Sequence, residues 1–243
     1  MKYKTVLIKL SGEALLGEIS FNNNTNKIFN YDAIMDILKQ VKNLVEHKVS
    51  VAIVIGGGNI FRGESLNKDF AFNRVNADNI GMLSTMINGI ALQDLLTSLN
   101  VDSRVYSAIE LSGVLEKYNV NNAINELKKS IVTIFVAGTS NPFFTTDTAA
   151  AIRAIEIQAD LLIKATKVNG IFNKDPILHN DAILYNNLSF DDIIEKKLKI
   201  MDIASFDLCR QHNINIQVCN IFTKNILHDI IINEKQIGTL VHG

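Results

Sequence analysis

Nine residues, Thr139-Ser140-Asn141-Pro142-Phe143-Phe144-Thr145-Thr146-Asp147, lie between an apolar run, Ile131 to Ala137, and an alanine-rich segment, Thr148 to Ala154. A junction of strand, polar loop and helix start places backbone N–H groups and hydroxyls where an anion can dock. Thr146 or Asp147 also serves as an ordinary N-cap for the helix that follows. A cap needs one polar side chain, however. The crowding of hydroxyls and an amide around one of only two prolines in the chain favours a ligand loop.

Two lysines point the same way. Lys9 interrupts the apolar run from Thr5 to Leu10, where an unpaired ammonium is costly to bury. Lys164 stands near the end of a second apolar run, Asp160 to Ala165. Either alone reads as a lysine snorkelling to the edge of a sheet; two near strand ends on one side of a parallel sheet favour function. Gly56-Gly57-Gly58 permits close approach of the backbone to a phosphate, or makes a tight turn, with equal claim. Arg62 offers a planar fork to phosphate oxygens or is a solvated surface arginine.

Known nucleotide signatures fail here. Gly56-x-Gly58-x-x-Phe61 has Phe where a dinucleotide fingerprint needs Gly or Ala, and Glu18 stands where Walker spacing from Gly12 and Gly17 needs Lys. No HExxH or GxSxG occurs, and no histidine sits in a catalytic motif. Lys128-Lys129 and Glu195-Lys196-Lys197 read as solvated faces. The residues alone therefore describe a phosphate or nucleotide site without a Walker loop.

The elements that must position them follow from the pattern. At 243 residues and 47% hydrophobic, the chain can bury one large core or two small ones. A net charge of −1 advertises no nucleic-acid surface and no acidic tail. Cys209 and Cys219 lack disulfide-framework or metal-ligand spacing and read as buried thiols. No signal-peptide core and no run of membrane-span length appear, so a soluble cytoplasmic protein is expected, with no membrane or nucleic-acid partner.

Continuous apolar runs at 5–10, 49–55, 131–137 and 160–165 read as strands buried on both faces. Shorter strands are expected at 103–106, 215–218 and 238–241, the last closing the sheet. Ile34, Ile37, Leu38, Val41, Leu44 and Val45 fall on one helical face. A long helix is expected over 78–99, with Leu83, Met86, Ile87, Ile90 and Leu95 at suitable intervals. Further helices are expected at 121–129, 148–158, 189–196, 203–211 and 223–232. Segments 20–30 and 167–180 read as loops. Alternating strands and helices predict an open, mostly parallel sheet covered on both faces, with ligands beyond the carboxyl ends of its strands.

Four segments carry a resemblance: Lys9-Leu10-Ser11-Gly12-Glu13-Ala14-Leu15, Ile55 to Gly63, Asn141 to Asp147, and Lys164-Ala165-Thr166-Lys167-Val168-Asn169-Gly170. In this order, over nearly the whole chain, they resemble the bacterial uridylate kinases of the amino acid kinase family. The resemblance implies a single domain over 1–243, a three-layer α/β/α sandwich around a mostly parallel sheet. It also implies a cytoplasmic homohexamer that transfers a phosphoryl group from ATP, with Mg2+, to UMP in pyrimidine biosynthesis. UTP is implied as a feedback inhibitor. Lys9 is then the residue at the transferring phosphoryl group, with Leu10, Ser11, Gly12, Gly58 and Arg62 at the ATP phosphates. Thr166, Phe172 and Asp175 are placed around the ATP base and ribose. Gly57 and Asp78 join Thr139, Ser140, Asn141, Pro142, Phe143, Phe144, Thr145 and Thr146 in the UMP site. Asp147 holds the lysines, while Lys164 and Asp202 assist on the phosphate or magnesium side; no residue is assigned as a direct metal ligand.

The chain departs from that pattern in three places. Ser140 replaces a loop glycine, a mild change, and the segment near 18–30 is longer and asparagine-rich. Gln93, Thr97 and Ile131 stand where basic or polar groups that bind an activating GTP are expected, leaving Arg104 alone, so weak or absent GTP activation is expected. Two other readings remain open: a kinase of the same fold that forms an acyl phosphate, and a UMP- or UTP-binding regulator without catalysis.

Overall fold

The computed structural model describes residues 2–17, 27–61, 72–196, 198 and 201–243. Strands β1 (Thr5–Leu10), β2 (Ser50–Ile55), β3 (Ser103–Ser107), β4 (Glu116–Lys117), β5 (Val132–Val136), β6 (Leu161–Thr166), β9 (Asn187–Ser189), β10 (Ile216–Asn220) and β11 (Thr239–His242) form one sheet. Their spatial order is β4-β3-β5-β2-β1-β6-β10-β11-β9. Every pairing is parallel except β10 with β11. The short strands β7 (Ile171–Phe172) and β8 (Leu184–Tyr185) pair antiparallel in a separate hairpin.

Helices α1 (Tyr31–Glu46), α2 (Arg74–Ser98) and α7 (Ile226–Ile231) share one apolar core with alternate residues of the strands, among them Ile8, Leu10, Ile163 and Ala165. Helices α3 (Val120–Lys128), α4 (Thr146–Glu156), α5 (Phe190–Glu195) and α6 (Ile203–Gln211) cover the other face, with Leu7 and Leu162 in their core. The result is the expected α/β/α sandwich. Because strand side chains alternate between faces, Lys9 shares its face with Leu7, and Lys164 with Leu162. Both lysines therefore point to the side that α4 covers, and Lys9 and Lys164 are direct partners in the β1–β6 ladder.

The face expected for α1 is the observed one: Ile34, Ile37, Leu38, Val41 and Leu44 are buried and Asn30 caps the helix through Ala33 N–H. Helix α2 differs. It starts a turn before Asp78, because Asn73 accepts from Asn76 N–H as N-cap. Its buried face carries Ala77, Met82, Thr85, Met86, Asn88, Gly89, Leu92 and Leu96, whereas Leu83, Ile87 and Ile90 are exposed. Apolar residues fall on more than one side of the helix, so their spacing alone does not choose a face. Strands β4, β7, β8 and β9 escaped the sequence reading since two or three residues are too short to show a period of two. Strand β11 is also not the edge: β9 lies outside it.

Candidate active site

Strand β1 lies between β2 and β6, so the crevice beyond its carboxyl end opens where chain connections leave in both directions. Asp147 enters this crevice from the first turn of α4. Its Oδ1 lies 2.9 Å from Lys9 Nζ and its Oδ2 accepts a hydrogen bond from Lys164 Nζ at 2.6 Å. The three side chains are only 12–14% exposed. Burial by itself raises the Asp147 carboxyl, but Lys9 and then Lys164 outweigh it and hold the group below the usual carboxylate range. Burial, aided by the charge of Lys9, pulls Lys164 below an ordinary lysine despite Asp147. One anion thus serves two cations, leaving the cluster a net positive charge.

The cap of α4 is Thr145, not Thr146 or Asp147: Thr145 Oγ1 accepts from Asp147 N–H at 3.1 Å. That shift of one or two residues frees the Asp147 carboxylate for the lysines. Asp202, N-cap of α6, accepts from Ser205 N–H at 2.7 Å, from Thr148 Oγ1 at 2.8 Å and from the Thr145 hydroxyl. Burial pushes the Asp202 carboxyl up, but these hydrogen bonds prevail and its pKa falls. Asp202 thus ties the loop before α4 to α6.

Two glycine segments close the crevice from the β1 and β2 side. A Cβ on Gly12 would stand 2.4 Å from Gly58 N, and one on Gly57 would stand 2.7 Å from Gly81 O of α2. No side chain fits at either place. Leu10 contributes differently from expectation: its side chain is wholly buried and its carbonyl accepts from Gly56 N–H at 2.8 Å, so it places Lys9 and Ser11 and shows the site no side chain. Ser11 precedes the short 3-10 turn Gly12–Leu16 without capping it.

A cavity of about 200 Å³ is lined by Gly57, Gly58, Asp78, Thr139, Asn141, Phe144, Thr145 and Thr146. Ser140, Pro142 and Phe143 do not line it; Ser140 and Phe143 are exposed. Asp78 accepts from Arg74 Nε at 2.8 Å and from Phe143 N–H at 2.8 Å, which fastens the loop to α2. The loop is backbone-strained: Ala137, Ser140 and Phe143 have φ of 63°, 66° and 75°. A second cavity, about 640 Å³, is lined by Lys164, Thr166, Phe172, Asp175 and Lys196. Lys164 borders this cavity while its partner Asp147 adjoins Thr146 of the first. The larger cleft of about 760 Å³ between α1 and α7 holds none of these residues. Arg62 lies outside the described residues, as does most of the 18–30 segment.

Sequence reasoning passed over Arg74, Thr85, Asn88 and Thr148. Thr85 and Asn88 did carry a signal, since two polar residues one turn apart interrupt an apolar stretch. Among the described residues no three acidic, His or Cys side chains gather for a metal ion. Asp147 is engaged by ammonium groups and Asp202 by hydroxyls and an amide. Both carboxylates are thus already engaged by other groups of the protein.

The profile of the Amino acid kinase family matches residues 4–220. A uridylate kinase of Aeromonas salmonicida is 47% identical over 241 residues, covering 99% of this chain and 95% of that protein. A uridylate kinase of Vibrio vulnificus is 48% identical, with 98% and 96% covered. Among solved structures, UMP kinase from Bacillus anthracis superposes with a TM-score of 0.92 at 36% identity, covering 100% of this chain and 97% of that one. With the sandwich, the glycine crevice and the paired lysines already in place, these likenesses settle the lineage: the chain belongs to the amino acid kinase family.

Proposed function

We propose that the chain transfers the γ-phosphoryl group of ATP to UMP, giving ADP and UDP for pyrimidine nucleotide synthesis. One observation carries this reading: two lysines share a single carboxylate, with Lys164 lining one cavity and Thr146, the residue before Asp147, lining the other. The 200 Å³ cavity, bounded by the start of α4 and by Asp78, takes the monophosphate; Asp78 accepts ribose hydroxyls and the first turn of α4 faces the phosphate. The Thr166, Phe172 and Asp175 cleft takes the base and ribose of ATP, whose phosphates run along Gly12 and Gly58 to Lys9. Uridylate kinases at 46–48% identity over nearly the full chain support the choice of substrate.

Two polyanions must meet for the reaction to occur, so the catalyst supplies alignment and positive charge. Lys9 and Lys164 neutralise the phosphoryl oxygens as the group passes from one nucleotide to the other. Asp147 fixes both ammonium groups, so that they need no reorganisation at the moment of transfer. Mg2+ held by the ATP phosphates would supply further neutralising charge, and no side chain is assigned to hold it.

The remaining parts of the reading are that residues 1–243 form one domain, that UTP inhibits by feedback, and that the protein is a cytoplasmic homohexamer. The first is supported by a sheet whose strands come from both ends of the chain. UTP combines the uridine of one substrate with the triphosphate of the other. Assembly is supported by the exposed stripe Leu83, Ile87 and Ile90 on α2, at 50%, 49% and 41% exposure. The deciding experiment offers purified protein ATP, Mg2+ and a panel of nucleoside monophosphates and acidic metabolites. UMP is expected to be phosphorylated far faster than any other; phosphorylation of a carboxylate in its place overturns the reading.

A further inference from the structure

One face of α2 touches both substrate loops. Asn88, wholly buried, donates through Nδ2 to Gly56 O at 2.7 Å and to Asn59 Oδ1 at 2.7 Å. Asn59 returns a hydrogen bond to Asn88 Oδ1 at 3.0 Å and donates its second amide hydrogen to Ile28 O at 2.9 Å. This reciprocal amide pair fixes the triple-glycine segment, and it sets Asn59 against Gly12, where an added Cβ would stand 2.5 Å from Asn59 Oδ1. One turn earlier, Thr85 is 4% exposed. Its Oγ1 accepts from Ala137 N–H at 2.7 Å and donates to Met82 O at 2.7 Å. Ala137 is the first left-handed residue of the acceptor loop, at φ 63°. An Ala there needs an outside hold, and the Thr85 hydroxyl is that hold.

Resting on the kinase reading above, we propose that Thr85 and Asn88 are positioning residues of different reach. Asn88 sets the triple-glycine segment, which borders both the ATP phosphates and the UMP cavity, whereas Thr85 sets the acceptor loop alone. Because they are three residues apart on one rigid helix, they also fix the spacing between the two loops. Asn88 lines neither cavity, and although Thr85 lines the UMP cavity, its hydroxyl is committed to Ala137 N–H and Met82 O. Gly56 O and Ala137 N–H are bonded in buried surroundings, so apolar replacement leaves one or the other without its partner and lets that segment drift.

The test is steady-state kinetics with each substrate varied in turn. Thr85→Val is expected to raise the KM for UMP about tenfold while the KM for ATP changes less than about twofold. Thr85→Ser, which keeps the hydroxyl, is expected to restore the original value. Asn88→Leu is expected to raise the KM for ATP and the KM for UMP together, each about tenfold. Should Asn88→Leu fail to fold, Asn59→Ala removes the same amide pair from the half-buried side and is expected to act on both substrates likewise. A rise in the ATP constant with Thr85→Val, an unchanged ATP or UMP constant with Asn88→Leu, or no rescue by Thr85→Ser overturns the proposal. Calorimetric dissociation constants for ATP and UMP give the same comparison without turnover. A wild-type chain that phosphorylates no monophosphate therefore counts against the kinase reading, and the binding constants then decide the positioning claim.

Discussion

Lys9 depends on Asp147 for its burial, and on the proposed mechanism the transferring phosphoryl group would depend on Lys9 for its charge. Lys9→Ala is expected to lower kcat by orders of magnitude while UMP still binds, measured by turnover and by calorimetry in parallel. Unchanged turnover would move the chemistry elsewhere. Lys164 brings a pH signature. Its folded pKa lies below the ordinary 10.5, so the folded chain gives up this proton at lower pH than the unfolded chain. Through that interval folding stability rises with pH, since the cost of a buried ammonium disappears. On the proposed mechanism catalysis would move oppositely, because the neutral amine would no longer offset phosphate charge. The pH–rate profile is therefore expected to fall on a basic limb below pH 10.5, and Lys164→Arg to shift that limb upward. Asp147 has the reverse linkage: its contribution is complete above its ordinary 3.8 and is lost as pH falls through the lowered value. Ser140 sits at φ 66°, where glycine costs nothing, so Ser140→Gly is expected to stabilise the fold by about 1 kcal/mol in urea unfolding. The sequence showed which residues were anomalous, a lysine inside an apolar strand above all. That substitution of Ser for Gly looked mild in the sequence, since residue type does not reveal the sign of φ.

Helix α6 begins at Asp202, and this one carboxylate serves as cap, loop tether and partner of α4. Asp202→Ala is expected to cost about 1 kcal/mol of stability through the lost cap. It is also expected to raise the KM for UMP several-fold with a smaller effect on ATP, as Thr145 is released; equal effects on the two substrates would refute the tether. Among elements, α1 was legible because a half-buried helix must segregate its side chains. Helix α2 was not, since it buries one apolar face and exposes another. The polar residues within it held the information that its hydrophobic spacing lacked. Strand β7 lay within 167–180, read as loop although it carries Phe172, and β8 was left unassigned, because four residues in two strands leave no pattern to detect.

Across the whole molecule, the mostly parallel direction followed from alternation of element types, while the strand order, with β9 outside β11, depended on long-range pairings no local signal encodes. Effector response belongs to this scale. Arg104 pairs with Glu116 at 3.2 Å, Gln93 donates to Ser103 O at 3.1 Å, and Thr97 donates to Gln93 O at 3.0 Å. These groups are already committed, and the arginine is neutralised. GTP is expected to leave turnover within about twofold, measured at low and saturating UMP; a marked rise would show a nucleotide site built from other groups.

Lys9 and Lys164 occupy matching rungs of adjacent strands at the middle of the sheet, with a single counter-ion between them. Within this three-residue cluster one ammonium charge is left unmatched in the central layer of the fold. On the proposed function the phosphates of ATP would offset it, so the reacting nucleotide would also clamp the fold. Resistance to heat and to proteases is then expected to rise with ATP concentration.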